Sequence, residues 1–259
     1  MPTITAQDST QDSTDPAHPS SALTGAPTLA PTVSPAMSPD MLRKRMAEAA
    51  TYAVLRRIAP VLRHDVAGLM QPAAIIMAIL QKRIQMPEPD LQAIAKNLAS
   101  VSASTKEATA GCVSAIGWIA TNEDSPVNLR SSVDQAAQLL GMELSAAGLE
   151  VRNDIADDNR LVPQSFYRSV LIGALLAFCD YHTTGGSLQV TLKAGVGNTG
   201  KCDQLCLRLL PRDTDKAFIP TDLVRKSRTI DWTDVQAMAG SFSVAMAQGD
   251  GWLTLDLAR

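Results

Sequence analysis

The sequence predicts an α+β chain: an antiparallel helical hairpin that pairs with a second copy into a four-helix bundle, followed by an α/β sandwich. Three observations point there. Leu55, Leu62, Leu69 and Ile76 recur every seven residues within an Ala-, Leu-, Arg-, Met- and Ile-rich stretch, a spacing that keeps one apolar row on one side of a helix. Met86-Pro87-Glu88-Pro89 interrupts that stretch, and a second helical run begins at once. Beyond residue 126 helical runs give way to segments in which apolar and polar residues alternate, the period of a half-buried strand.

Residues 1–40 hold 7 of the 15 prolines, 7 Thr and 6 Ser, with 4 Asp and no Lys or Arg. Too little apolar surface is present to offset the entropy of ordering, so this arm is expected to be disordered and to act as a tether. Residues 41–121 form the hairpin. The first helix runs from Met41 to the proline turn, with Ile58, Asp65, Pro72 and Ile79 beside the main row and Ala59, Val66, Ala73 and Leu80 widening it. The second runs from Asp90 to about Ala120, and so short a connection makes the two antiparallel neighbours. One hairpin cannot bury so wide a stripe, whereas two can, and a homodimer follows.

Thr121 to Pro126 is polar and marks a domain boundary; residues 127–259 form the sandwich. A helix from about Leu129 to Ala147 leads into a short strand, Glu150 to Ile155. An apolar helix from about Pro163 to Tyr181 follows. Thr184-Gly185-Gly186 turns the chain into a strand over Ser187 to Val196, where Leu188, Val190, Leu192 and Ala194 alternate with polar residues. Gln204 to Leu210, Phe242 to Ala247 and Trp252 to Leu257 complete the strands.

Setting the arm's four aspartates aside leaves 23 Lys+Arg against 22 Asp+Glu, which excludes nucleic acid as the main partner on charge grounds. No apolar run reaches the roughly 18 residues of a membrane span, and the start of the chain lacks the basic and apolar regions of a secretory signal, so a cytoplasmic protein is expected. Cys112, Cys179, Cys202 and Cys206 form no CxxC pair, and with three His in the chain no zinc site is expected. Reduced, mostly buried thiols are the simpler reading. Trp118, Trp232 and Trp252 read as packing residues, and His182 as a helix-end histidine beside the C-terminal dipole.

The chemistry centres on His64, in Leu62-Arg63-His64-Asp65-Val66-Ala67-Gly68-Leu69-Met70-Gln71-Pro72. With Leu55, Leu62 and Leu69 inward, His64 lies about 200° beyond Leu62, facing solvent, and Arg57, Gly68 and Gln71 share its face. Asp65 is its neighbour. Pro72 removes one backbone hydrogen bond and presses on the carbonyl of Gly68, which has no side chain to crowd a bend. Geometry alone leaves two readings: a reactive exposed imidazole, or a surface histidine on a proline-bearing helix. Arg57 and Arg63 either steer an acidic partner or are solvated charges. Met70, Met77 and Leu69 either line a docking surface or belong to the core.

The hairpin, the HD pair and the following helix-strand-helix-strands order resemble the sensor histidine kinases of two-component signalling. His64 and Asp65 match the phosphoacceptor and its acid neighbour in the variant His-Asp-Phe-Asn-Asn-Leu-Leu-x-Pro box; Val66, Ala67 and Gly68 do not match. Many members carry Asn or Thr four residues after the histidine to position water for dephosphorylating the partner, and Gly68 has no side chain for that. The second domain resembles the family's ATPase-like domain. Arg168-Ser169-Val170-Leu171-Ile172-Gly173-Ala174-Leu175-Leu176-Ala177 aligns with Arg-Gln-Val-Leu-Leu-Asn-Leu-Leu-Leu-Asn, with Gly173 and Ala177 where the family has asparagines. Neither offers a magnesium ligand. Pro211-Arg212-Asp213-Thr214-Asp215 stands where Asp-x-Gly-x-Gly holds adenine, and no Gly-x-Gly pair lies between Phe218 and Ala239.

The resemblance implies a histidine phosphotransferase-like signalling protein with a degenerate ATPase-like domain, expected to bind no cofactor stably. His64 is the phosphoacceptor, and Asp65 orients and stabilises it. Arg57, Arg63, Gly68 and Gln71 are the candidate partner-binding residues. The partners implied are a response-regulator receiver domain, which brings its own Mg2+, and a hybrid histidine kinase. A non-catalytic pseudokinase-like regulator and a divergent autokinase are the alternatives.

Overall fold

The computed structural model describes residues 38–119, 124–156, 160–182, 185–197, 200–211 and 228–258. Most of the arm, part of the 121–126 boundary, Thr184 and residues 212–215 lie outside the described residues. Residues 38–259 form one compact unit.

Helix α1 spans Pro39–Ile84. Ser38 caps it by accepting from the Met41 amide at 3.3 Å, and Pro39 occupies the first turn, where a missing N–H costs nothing. Pro60 and Pro72 both lie inside an unbroken helix. Asp90 caps α2, Leu91–Gly117, through the Ala93 amide at 3.0 Å. The two helices pack as the expected hairpin, with Gly111 of α2 placed directly against Leu69.

The first half of α1 has a different partner. Ala47, Ala50, Val54 and Ile58 are buried, and the last three belong to the core of the sandwich. Their spacing is helical but rotated from the Leu55–Leu62–Leu69 row, so the helix presents one stripe to the sandwich and another to α2. That contact corrects the reading of Arg57. It shares the His64 face of the helix, but two turns earlier the sandwich covers that face: the Arg57 side chain is 3% exposed and pairs with Glu143 and Asp180, out of a partner's reach.

The sandwich begins with strand β1, Pro126–Asn128, and α3, Leu129–Leu139, followed by α4, Gly141–Ala146. The expected single helix therefore breaks at Leu140. Strand β2 is Leu149–Asn153, and β3, Leu161–Pro163, pairs antiparallel with β1 in a two-stranded sheet that alternation was too short to reveal. Then come α5 at Gln164–Phe166, a π turn at Tyr167–Leu171, and α6 at Ile172–Tyr181, together the expected apolar helix. Strands β4, Gly186–Gly197, and β5, Gly200–Leu210, form a long hairpin.

Helix α7, Trp232–Ser241, was not read from the sequence, although Asp231 and Asp234 form a reciprocal capping box at its start. It displaces the expected strand at Phe242: the next strand, β6, begins at Ala245 and runs to Gly249. Ser243, at φ 56°, turns the chain between them. Strand β7 is Trp252–Ala258.

The main sheet has the order β2-β4-β5-β7-β6. Its β2–β4 pair is parallel and the rest antiparallel. Leu188, Val190, Leu205, Leu207, Leu253 and Leu255 are fully buried on its inner face; register places Val190 opposite Leu207 and Leu205 opposite Leu255. Burying one face only is what period-two alternation encodes. Among the described residues, no helix is long and apolar enough to cross a membrane.

Candidate functional site

His64 stands on the open side of α1 with its side chain 88% exposed, and its Nδ1 lies 3.6 Å from a carboxylate oxygen of Asp65. That separation is ion-pair range, beyond a hydrogen bond. Arg63, Gly68 and Gln71 are also exposed. A Cβ added at Gly68 would meet nothing within 4 Å, so the surface one turn past the imidazole is open to an approaching partner.

His64, Asp65 and Arg63 line one rim of a cleft of about 750 Å³. Its other walls are Trp118 at the end of α2, Gln135, Gln138 and Met142 from α3 and α4, and Gln164, Tyr167 and Arg168 from the helix carrying the π turn. The sequence places these residues 54 to 104 positions from His64, and no local spacing signals their convergence. Trp118 packs edge-on against Tyr167, ring centroids 5.7 Å apart, and under the Arg168 guanidinium at 5.1 Å. Burial pushes the Tyr167 hydroxyl up to about 12, leaving it a neutral donor at physiological pH.

Gly68, Gln71 and Arg57 are outside this cleft's lining. The Arg57 guanidinium donates to both oxygens of Glu143, at 2.9 and 2.8 Å, and to both of Asp180, at 3.3 and 3.1 Å. Those bonds hold it well above the ordinary arginine value. Asp180 also accepts the Ile230 amide at 2.8 Å. The network ties α1, two turns before His64, to α4, to the end of α6 and to the start of α7.

A second opening, of about 560 Å³, is lined by Leu55, Ala59, Leu62 and Val66 from α1 and Ala115, Ile116 and Ile119 from α2 or just beyond it, together with Tyr52, Arg56 and Arg63. Leu55 and Leu62 pack partly against the sandwich core and leave the rest of their surface open to this groove. Farther along, Met70 and Met77 are 56% and 47% exposed, so neither is a core residue of the single chain.

The residues of α6 do not fit a metal-bound nucleotide. Gly173 and Ala177 are fully buried. A Cβ at Gly173 would fall 2.5 Å from the terminal methyl of Met238 on α7 and 3.5 Å from Val54 of α1. The space into which a ligating side chain would project is therefore filled by two other helices. Among the described residues no group of three or more His, Cys, Asp or Glu is placed to hold a metal. Of the four cysteines, Cys179 and Cys202 are buried and Cys112 and Cys206 are partly exposed. His182 ends α6 and stacks on Phe178, centroids 5.3 Å apart; burial lowers its pKa, the reverse of what a helix C-terminus alone would do.

No protein-family model and no curated protein matches the chain. Among solved structures it is similar to the histidine kinase AdeS of Acinetobacter baumannii, at 14% identity over 71% of this chain and 94% of that one, with a TM-score of 0.37. It is also similar to a bacterial phosphotransferase, at 14% identity over 78% of this chain and 94% of that one, TM-score 0.31. A third is the histidine kinase ThkA, solved in complex with the response regulator TrrA, at 10% identity over 83% of this chain and 65% of that one, TM-score 0.35. All three TM-scores lie below 0.5, and the chemistry has to be argued from the site itself.

Proposed function

We propose that this protein is a two-component phosphotransfer protein in which His64 carries a phosphoryl group to and from an aspartate of a receiver domain, without drawing on ATP. The observation that carries the reading is the placement of an exposed imidazole beside a carboxylate, on the rim of a cleft of about 750 Å³.

In the forward step a neutral ring nitrogen of His64 attacks the phosphorus of an aspartyl phosphate in line. The N–P bond forms as the bond from phosphorus to the aspartate oxygen breaks, and the aspartate leaves as a carboxylate. Attack through Nε2 keeps the remaining ring proton on Nδ1, facing Asp65, whose charge offsets the positive charge that develops on the ring. A Mg2+ ion held in the receiver's acidic pocket balances the phosphoryl oxygens. Transfer onward runs the same step in reverse, and little else is asked of the protein than positioning.

The partly exposed apolar groove over Leu55, Leu62 and Val66 supports a homodimer through the hairpin, since a contiguous apolar face of this kind is what a second hairpin buries. The test is transfer from a labelled phospho-receiver. Acid-labile label on the wild type, absent from His64→Ala, is the expected result. Label acquired from ATP would instead indicate an autokinase, and label from neither source a regulator that only binds.

A further inference from the structure

A cavity of about 360 Å³ opens where the end of α6 meets the start of α7 and the turn between β6 and β7, and it shares no lining residue with the His64 cleft. Tyr181, His182 and Trp232 supply three aromatic rings to its lining, and Gln248 and Asp250 supply polar groups from the strand end and the turn. The Tyr181 and Trp232 ring centroids lie 5.7 Å apart, the planes tilted by 32°. Phe178, fully buried, anchors both His182 and Trp232: the imidazole stacks on it with centroids 5.3 Å apart, and the indole meets it edge-on at 5.1 Å. The core thus orders this aromatic wall before any ligand arrives, which lowers the entropy cost of binding.

The electrostatics of the opening favour a cation. Helix α6 ends at Tyr181, so the negative end of its dipole lies at the cavity. The field of the Asp250 carboxylate reaches the His182 ring, where burial outweighs it and lowers the imidazole pKa, leaving that ring uncharged at neutral pH. Among the described residues, no Lys or Arg lines the cavity. Aromatic faces are electron-rich and attract a cation held within about 6 Å of the ring. Rings alone would equally stack a nucleobase, but a carboxylate and a helix C-terminus repel the phosphates that a nucleotide carries.

We propose that this cavity binds a compact organic cation, an alkylammonium or guanidinium head group, with Tyr181 and Trp232 facing the cation and Asp250 balancing its charge. Gln248 offers an amide oxygen that accepts from the ligand's polar hydrogens. The site stands whether or not His64 carries phosphate.

The experiment titrates the full chain by calorimetry, at neutral pH and constant ionic strength, with choline and with N-acetylarginine amide. Their uncharged counterparts dimethylbutanol and N-acetylcitrulline amide, and adenosine, are titrated alongside. At least one of the two cations is expected to bind saturably, about tenfold more tightly than its uncharged counterpart, and Asp250→Asn and Tyr181→Ala are each expected to weaken it by about tenfold. Tyr181→Phe, which keeps the ring, binds as wild type. Tyr181 is 55% exposed and Asp250 lies exposed on the turn, so these variants keep the fold, which thermal melts verify. Tighter binding of choline assigns the ammonium and tighter binding of N-acetylarginine amide the guanidinium; either order upholds the proposal. It is overturned if neither cation binds, if an uncharged counterpart or adenosine binds as tightly, or if Asp250→Asn binds as wild type does.

Discussion

Two neighbouring charges on α1 have opposite fates, and burial separates them. His64 and Asp65 face water, so replacing Asp65 by Asn leaves the fold unharmed and removes only the support for charge on the ring. Phosphotransfer in Asp65→Asn is expected to slow by about tenfold to a hundredfold with an unchanged unfolding midpoint, measured by single-turnover transfer and thermal melts. Arg57, seven residues earlier, is sealed between Glu143 and Asp180. Arg57→Ala leaves two carboxylates without their cation and is expected to cost about 3–5 kcal/mol, read from urea unfolding; a loss under about 1 kcal/mol, the exposed-pair range, would contradict the burial. His182 supplies a pH signature. Its folded pKa lies below the ordinary value, so the unfolded chain takes up the proton first as pH falls. The stability it contributes is complete above about pH 6.5 and is lost as pH drops through that value toward the folded pKa. Wild type should lose more stability between pH 7 and pH 5 than His182→Gln does, and equal losses would contradict this account.

At the scale of elements, α1 serves two surfaces at once. Its first half is a layer of the sandwich core through Ala50, Val54 and Ile58, and its second half belongs to the hairpin. Leu55, Leu62 and Val66 stay partly exposed and line the apolar groove with Ile116 and Ile119. Ile116 and Ile119 are 62% and 69% exposed, so charges placed there leave the single chain intact and strike only an interface. Wild type is expected to scatter light as twice the 27.5 kDa chain, and Ile116→Glu/Ile119→Glu as one chain with the same helical circular dichroism; a monomeric wild type would contradict the dimer. Helix α6 is closed on the face carrying Gly173, where Met238 and Val54 fill the space. Overpacking that site with Gly173→Asn is expected to cost about 1–3 kcal/mol by urea unfolding and to confer no nucleotide binding.

Across the whole molecule, what the sequence disclosed and what it hid divide by range. The hairpin was legible because its proline turn, the Asp90 cap and the seven-residue row are local. The strands were legible because one face alone is buried, and Leu188/Val190 and Leu253/Leu255 alternate accordingly. The exposure of His64 and Asp65 on one turn was legible from their place on the helix wheel. The fate of Arg57 was not, because the wheel drawn from leucines ignored the small residues Ala47 and Ala50, which mark where one helix approaches another closely. Trp118 and Arg168 were equally hidden: only the docking of the sandwich against α1 and α2 brings them to the cleft. Helix α7 was missed although its Asp-x-x-Asp cap was in plain sight, because it is short and buries only Val235, Met238 and Ala239, too few to show a period.

The central claim is that His64 is a phosphoryl carrier supplied by a receiver and not by ATP. The direct measurement incubates the full chain with a labelled phospho-receiver domain and, separately, with labelled ATP, for wild type and His64→Ala. The account predicts acid-labile label on the wild type from the receiver alone, and none on His64→Ala. Label from ATP, or label from the receiver that persists in His64→Ala, would contradict it.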